Sequence, residues 1–350
     1  MQEKIKRYKI KNIVFFLATF LLVAMFCGLK LGFIKVDWLT LATALLAKSG
    51  LLPAENINRD IIDVVLQLRL PRILLAACVG MGLTLSGIVM QAVVKNPLAD
   101  PYILGVSSGA SLGATSAIFL GLGSFFGAQA IGVCAFVGAF AVSLLVTFIA
   151  DFSSSKAANN NLLLSGMAVS AVCSSISSLI AYFGSNKEGM EAITYWLMGN
   201  VANAKIENVL LLLGIIVVLF RYFLTQIRIL NLMLVGHDAA MTLGVDLHYY
   251  IKKYLLLNGL LVGFIVFNAG AIGFVGLIVP HIIRLLFGAN HKKLLPVAVL
   301  FGGCMAVVMD ILSRTIIFGI DIPLGVIFAL LGAPCFIYLL LKQNYRPGVN

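Results

Sequence analysis

Apolar residues in this chain come in long, nearly unbroken windows. Residues 209–220 carry no polar side chain, and 254–267 are interrupted by Asn258 alone. A helix needs about 20 apolar residues to cross the roughly 30 Å hydrocarbon core of a bilayer. A membrane β-barrel would instead show segments of about ten residues alternating between apolar and polar. The pattern therefore predicts an all-α polytopic membrane protein with ten transmembrane helices, at 13–33, 70–94, 102–121, 126–150, 161–183, 207–226, 254–272, 274–287, 295–314 and 323–341. The eighth is short for a full crossing, so its neighbours must shield its ends.

Composition supports the same picture. The 350 residues are 61% hydrophobic and 11% charged, against about 25% charged in soluble domains, which excludes a soluble enzyme. The length leaves room for loops but not for a catalytic domain. The chain reads as a single transmembrane domain over 1–350, with a tail at 1–12, a long loop at 227–253, and a second long loop at 35–63 carrying Pro53. Lys4, Lys6, Arg7, Lys9 and Lys11 precede the first span. That span exceeds the length of a signal-peptide core and no small-x-small cleavage site follows it, so it is expected to be retained. Basic residues concentrate in the tail, in 227–253 and in the turns on that side, including Lys95, Lys156 and Arg346, which places both termini in the cytoplasm.

The net charge of +11 would point towards nucleic acid in a soluble protein. Spread over membrane loops it answers to lipid, and no nucleic-acid partner is expected. The six cysteines, Cys27, Cys78, Cys134, Cys173, Cys304 and Cys335, lie in apolar runs without a Cys-x-x-Cys pair and read as small packing residues. Together with four scattered histidines they give no metal site.

Four groups of residues carry candidate chemistry. The second and third spans are rich in small residues, among them Ser86, Gly87, Gly105, Ser107 and Gly109; these either let backbones approach closely or line a path with small hydroxyls. Between the two spans, Gln91 is followed by Asn96-Pro97-Leu98-Ala99-Asp100-Pro101, whose prolines enforce a sharp turn; it is either a turn alone or a gate beside the small-residue helices. Arg69, Arg72 and Arg314 fall at the same end of two spans, where they either snorkel or form a ring for carboxylates of a docking partner. Asp310, four residues before Arg314, is the one clear buried acid and is expected to pair with it. Finally, 236–244 predicts a short helix closed by Gly244. No Walker motif, zincin motif or nucleophile elbow occurs, so energy for uphill transport must come from a partner or an ion gradient.

These residues together resemble one family. Arg69-Leu-Pro-Arg72, Ser86-Gly87 with Gln91, Asn96-Pro97-Leu98-Ala99, Gly105 with Gly109-Ala110, Trp196 with Gly199, the run Gly270 to Leu277 with Pro280-His281 and Arg284, Asp310 with Arg314, Pro323 with Gly325, and Gly332-Ala333-Pro334 are similar to the FecCD permeases. Those are the membrane subunits of type II ABC importers for iron-siderophore complexes, haem and cobalamin. The resemblance implies a type II importer permease fold in a bacterial cytoplasmic membrane, a homodimer or a heterodimer with a paralogous permease, two cytoplasmic ATPase subunits, and an extracytoplasmic substrate-binding protein. It implies that ATP and Mg bind the ATPase and no cofactor binds this chain. Arg69, Arg72 and Arg314 become the docking residues for the binding protein, and reversing Arg69 and Arg72 is expected to weaken docking while leaving assembly intact. Gly236, Asp238, Ala239, Ala240, Leu243 and Gly244 become the coupling element, with Asp in place of the usual Glu. Ser165, Gly166 and Ser170, with 186–200, become the gate of a path that also includes Ser86, Gln91, Asn96, Pro97, Gly105, Ser107 and Gly109.

Ferric siderophore is the expected cargo, with haem and cobalamin as alternatives. The competing classes are an ion-coupled secondary carrier, disfavoured by the scarcity of buried acids, and a membrane enzyme, which lacks any catalytic constellation.

Overall fold

The computed structural model describes residues 2–32, 36–38, 40–43, 62–152, 158–184, 186–317 and 319–344. Most of the expected loop at 35–63, with Lys156 and Arg346, lies outside these residues. The described chain is helical throughout: α1 (Gln2–Lys30), α2 (Leu70–Val94, entered through a π turn at Val64–Arg69), α3 (Val106–Leu120), α4 (Ala130–Phe152), α5 (Ala158–Phe183), α6 (Lys187–Leu197), α7 (Ile206–Thr225), α8 (Ile227–Val235), α9 (His237–Thr242), α10 (Leu247–Ala269), α11 (Val275–Phe287), α12 (His291–Thr315) and α13 (Leu324–Asn344). Among the described residues seven helices are long and apolar enough to cross a membrane, and α3, α11 and the apolar part of α13 are shorter. These are the ten spans the hydropathy predicts, joined by the short α6, α8 and α9.

α2 is the axis of the bundle. Nearly all its residues from Pro71 to Val94 are buried, with α12, α11, α10 and α7 packed around it. Two glycine contacts set the spacing. A Cβ on Gly80 would run into the Gly302 carbonyl of α12, and one on Gly87 into the Gly276 carbonyl of α11. Such contacts let helices meet backbone to backbone where lipid supplies no hydrophobic drive for association. Gly109 and Gly113 of α3 meet Gly138 and Cys134 of α4 in the same way. α1 packs outside this core, in a satellite cluster with Ile73, Ala77, Cys304 and Val307.

Two breaks depart from the expected spans. Residues 102–105 do not begin the third helix. Pro101–Leu104 forms a 3-10 turn closed by Gly105 at φ +78°, and α3 starts at Val106. The seventh and eighth spans are separated by 270–274, where Gly270 leaves the helix at φ +66° and Phe274 caps α11 at φ +69°, a strained conformation for a bulky residue. The breaks face each other. Asp100 accepts the Tyr102 N–H at 2.8 Å and faces the backbone of Phe274, the Tyr102 hydroxyl meets the Ile272 N–H at 3.4 Å, and Pro101 packs on Gly276. The segment 96–101 is thus packed against a second helix break instead of standing free as a turn, and Asp310 is joined by Asp100 as an acid inside the bundle.

Gly87→Val is expected to lower the melting temperature of the detergent-solubilised protein, because overpacking a close helix contact costs about 1–3 kcal/mol. An unchanged melting curve would mean that α2 and α11 can separate freely.

Candidate functional site

At one end of the bundle the three arginines meet as the sequence expects, but they are turned inward. All three are buried. Arg69 Nη1 donates to the carbonyls of Leu29 at 2.7 Å and Lys30 at 2.8 Å, taking up acceptors left open at the C-terminus of α1. Arg72 grips two carboxylates: Nε reaches Asp310 at 2.7 Å, while Nη1 and Nη2 hold Asp321 bidentately at 2.6 and 2.8 Å. Arg314 lies 2.9 Å from the other Asp310 oxygen, close in distance although not aligned for a hydrogen bond, and donates to the Leu31 carbonyl at 3.2 Å. The expected Asp310–Arg314 pair is present, and Arg72 shares its carboxylate. The cluster ties α1, α2, α12 and the segment before α13 together. Reversing Arg72 therefore breaks internal ion pairs, so the expectation that assembly would be untouched does not stand.

At the opposite end lies the short helix predicted at 236–244. α9 spans His237–Thr242. Gly244, at φ +71°, donates to the Met241 carbonyl at 3.0 Å while Val245 donates to Ala240 at 3.0 Å, the paired bonds of a Schellman cap. Ala240 is fully buried, while Met241 and Leu243 are 65% and 69% exposed and Val235 stands out beside them. Asp238 lies in the first turn, where the helix dipole favours an acid. α8 is fixed to the bundle by Asn231, whose Oδ1 accepts the His291 N–H at 3.0 Å and meets His291 Nδ1 at 2.8 Å. The element is a held, capped turn presenting apolar side chains outward.

The expected path residues fall into separate places. Ser86 and Gln91 are packed inside, Gln91 donating to the Leu277 carbonyl at 3.3 Å and accepting from Arg284 at 2.8 Å. Asn96 serves the turn, accepting the Leu98 N–H at 2.9 Å; Pro97 and Ser107 are half-buried. Gly105 packs on Gly166 and Ser170 of α5, and Gly109 on α4; Ser165 is half-buried beside Gly166. The open surface of α5 is a different set. Ala168, Ala171, Ser175 and Ser178 form an exposed strip of small residues, and Val172, Ile176, Leu179 and Phe183 an exposed apolar strip next to it. Sequence reasoning caught the segment but not this face, which helical spacing of the serines and alanines would have revealed.

The FecCD transport family matches residues 20–342. The chain belongs to that family. The vitamin B12 import system permease protein BtuC of Salmonella paratyphi A is 38% identical over 279 residues, covering 80% of this chain and 84% of that protein, and BtuC of Salmonella typhimurium matches to the same extent. The solved structure of a metal-chelate type ABC transporter in an inward-facing conformation superposes with a TM-score of 0.81 at 33% identity, covering 95% of this chain and 99% of that one. PsaBC from Streptococcus pneumoniae shares the fold, with a TM-score of 0.54 at 18% identity over 80% of this chain and 94% of that one. The chain is therefore a multi-pass membrane permease of an ABC importer, a transporter subunit and not a catalyst.

Gly270 and Gly325, motif residues of this permease without an assigned role, meet the expected gate segment 186–200 at one joint. A Cβ on Gly199 would strike the Ala271 carbonyl, one on Gly270 the Trp196 carbonyl, and one on Gly325 the Met198 carbonyl. Asn200 donates to Ala269 at 2.8 Å and Gly325 to Gly199 at 3.1 Å. The end of α6 is thereby locked to the α10–α11 break and to the start of α13. Beside the joint is a cavity of about 330 Å³ lined by Trp196, Asn200, Asn203, Lys205, Asn208 and Asn268, among others. Nothing in the sequence pattern announces this approach of three distant segments.

Asp310→Asn is expected to destabilise the permease by about 3–5 kcal/mol, since it leaves two buried guanidinium groups short of a carboxylate. Asp321→Asn should cost clearly less, because that side chain is 24% exposed and water can replace it. Thermal unfolding in detergent compares the two; equal small shifts would mean that backbone carbonyls alone hold the arginines.

Proposed function

We propose that this permease imports a bulky metal chelate, a ferric siderophore, as half of a homodimer powered by two cytoplasmic ATPase subunits and fed by an extracytoplasmic binding protein. The observation that carries the mechanism is the α8–α9 element. A rigid, glycine-capped turn with exposed Val235, Met241 and Leu243 fits a groove on an ATPase, and Asn231 links it to α12, so displacement of α9 reaches the bundle. ATP and Mg are bound by the ATPase, and this chain binds no cofactor. Orientation follows: α9 and both termini are cytoplasmic, and the arginine cluster is extracytoplasmic.

The binding protein docks at the arginine end. The cluster holds three arginines against two carboxylates, and its excess positive charge attracts acidic side chains even though Arg72 is already paired. Exposed α5 supplies the dimer face and the wall of the path, with its serines and alanines towards the cargo, and α6 with the joint at Gly199 gates it. A low density of fixed charge on this wall suits a large organic chelate better than a stripped ion.

A second cargo is favoured by a specific observation: the BtuC relatives, 38% identical, are vitamin B12 import permeases, and cobalamin is also a metal-bearing organic complex. Deleting the gene and measuring uptake of radiolabelled ferric siderophore, cobalamin and haem in the same cells separates the readings. Loss of siderophore uptake alone supports the first, and loss of cobalamin uptake alone the second. Uptake by the purified chain in liposomes under an ion gradient, with no ATPase present, would remove the importer mechanism altogether.

Coupling has its own test. Gly244→Val forces a β-branched residue into a left-handed conformation, costing roughly 1–3 kcal/mol, while Gly244→Asn keeps that conformation accessible. No atom stands within 4 Å of a Cβ at this position, so the difference isolates the cap. In reconstituted complexes Gly244→Val is expected to lower transport per ATP hydrolysed and Gly244→Asn to retain most of it. Equal coupling in both would separate the cap from energy transfer.

A further inference from the structure

Arg69, Arg72 and Arg314 are answered by carbonyls or carboxylates of the chain, but among the described residues Arg284 meets no carboxylate. It lies half-buried in the last turn of α11. Its Nη2 donates to Gln91 Oε1 at 2.8 Å, and among the described residues no carboxylate stands within ion-pair reach of it. Gln91 offers an oxygen but no charge, and Arg284 Nε is buried without an acceptor. Two histidines lie within its electrostatic reach. His281, one turn earlier, is buried with Nδ1 unpartnered. His291, at the start of α12, meets Asn231 through Nδ1 but leaves Nε2 buried and unpartnered. A half-buried guanidinium with no carboxylate, at the end of a membrane helix, is a site that lacks an anion.

The surroundings select the anion. The sequence from 275 to 293 contains no Asp or Glu. Leu285 and Leu286, next to Arg284, are exposed, as apolar side chains facing acyl chains would be. Lys292 and Lys293 follow in the first turn of α12. Basic pockets between membrane helices near the surface recognise lipid head groups, and the oxygens of a phosphodiester match the guanidinium fork.

We propose that Arg284 binds the phosphate of an anionic phospholipid whose chains lie over Leu285 and Leu286. The site joins the lipid to Gln91 and through it to the first turn of α11, beside the helix break. Bound lipid would then brace α11 against α2, whichever chelate is carried.

The test is thermal unfolding of the purified full-length permease in detergent, titrated with phosphatidylglycerol, cardiolipin, phosphatidylcholine or inorganic phosphate. It is run with and without the ATPase subunits. Stabilisation by the two anionic lipids alone is expected, with apparent affinity about tenfold weaker in Arg284→Gln, the loss of one charge-assisted contact. If Arg284→Gln does not fold, the double variant Leu285→Ser/Leu286→Ser, altered on the exposed face, is expected to weaken the same response. An equal response to phosphatidylcholine, a shift reproduced by inorganic phosphate, or an undiminished lipid response in the variants would overturn the proposal. Loss of the lipid response on adding the ATPase subunits would also overturn it and assign the guanidinium to a partner's carboxylate.

Discussion

Inside a bilayer every backbone N–H and C=O that leaves a helix must find a partner within the protein, and this permease breaks its helices in two places that face each other. The turn around Pro101 and the break at 270–274 each release polar groups, and each supplies what the other lacks. Asp100 and Tyr102 reach across to Phe274 and Ile272, Gln91 reaches the Leu277 carbonyl and that of Gly276, which Pro280 leaves without its helical N–H, and Asn200 takes the last carbonyl of α10. The bundle is arranged around satisfying these groups. α2 carries Gln91 and the glycines that admit α11 and α12 to contact distance, and α6 and α13 close the remaining side through Gly199 and Gly325.

The arginine cluster illustrates a second balance. Burying three guanidinium groups is tolerable because two carboxylates and the open C-terminus of α1 receive them. The same residues that a docking protein would meet are therefore the fastening of α1 to the core. On the proposed docking, a partner's carboxylate arriving there would compete with Asp321 for Arg72 before adding anything, which would make docking and internal fastening one equilibrium.

Much of this was legible from the chain. The ten spans follow from hydropathy, which burial in lipid writes strongly. The Asp310–Arg314 pair follows from helical spacing, and the closing Gly244 from the rule that helices end on a left-handed residue. What was not legible depends on contacts between distant segments. Asp321 is 249 residues from the Arg72 it binds, and local pattern gives no hint of it. Hydropathy runs on through Tyr102, Ile103 and Leu104 and so overstates the third span, while the bend is made by Gly105 and by the Asp100 bond to Tyr102. Residue type alone points Ser86 and Gln91 towards a path, yet small and polar residues also serve where two backbones touch.

The exposed side of α5 carries an implication for the subunit taken alone. One strip of that helix has the texture of a lipid-facing surface and the strip beside it that of a wetted one. The two strips suit different neighbours, acyl chains on one side and a closely approaching helix or a solute on the other. If two copies pair as proposed, each is one bank of a channel, and the watercourse exists only once the second bank stands opposite.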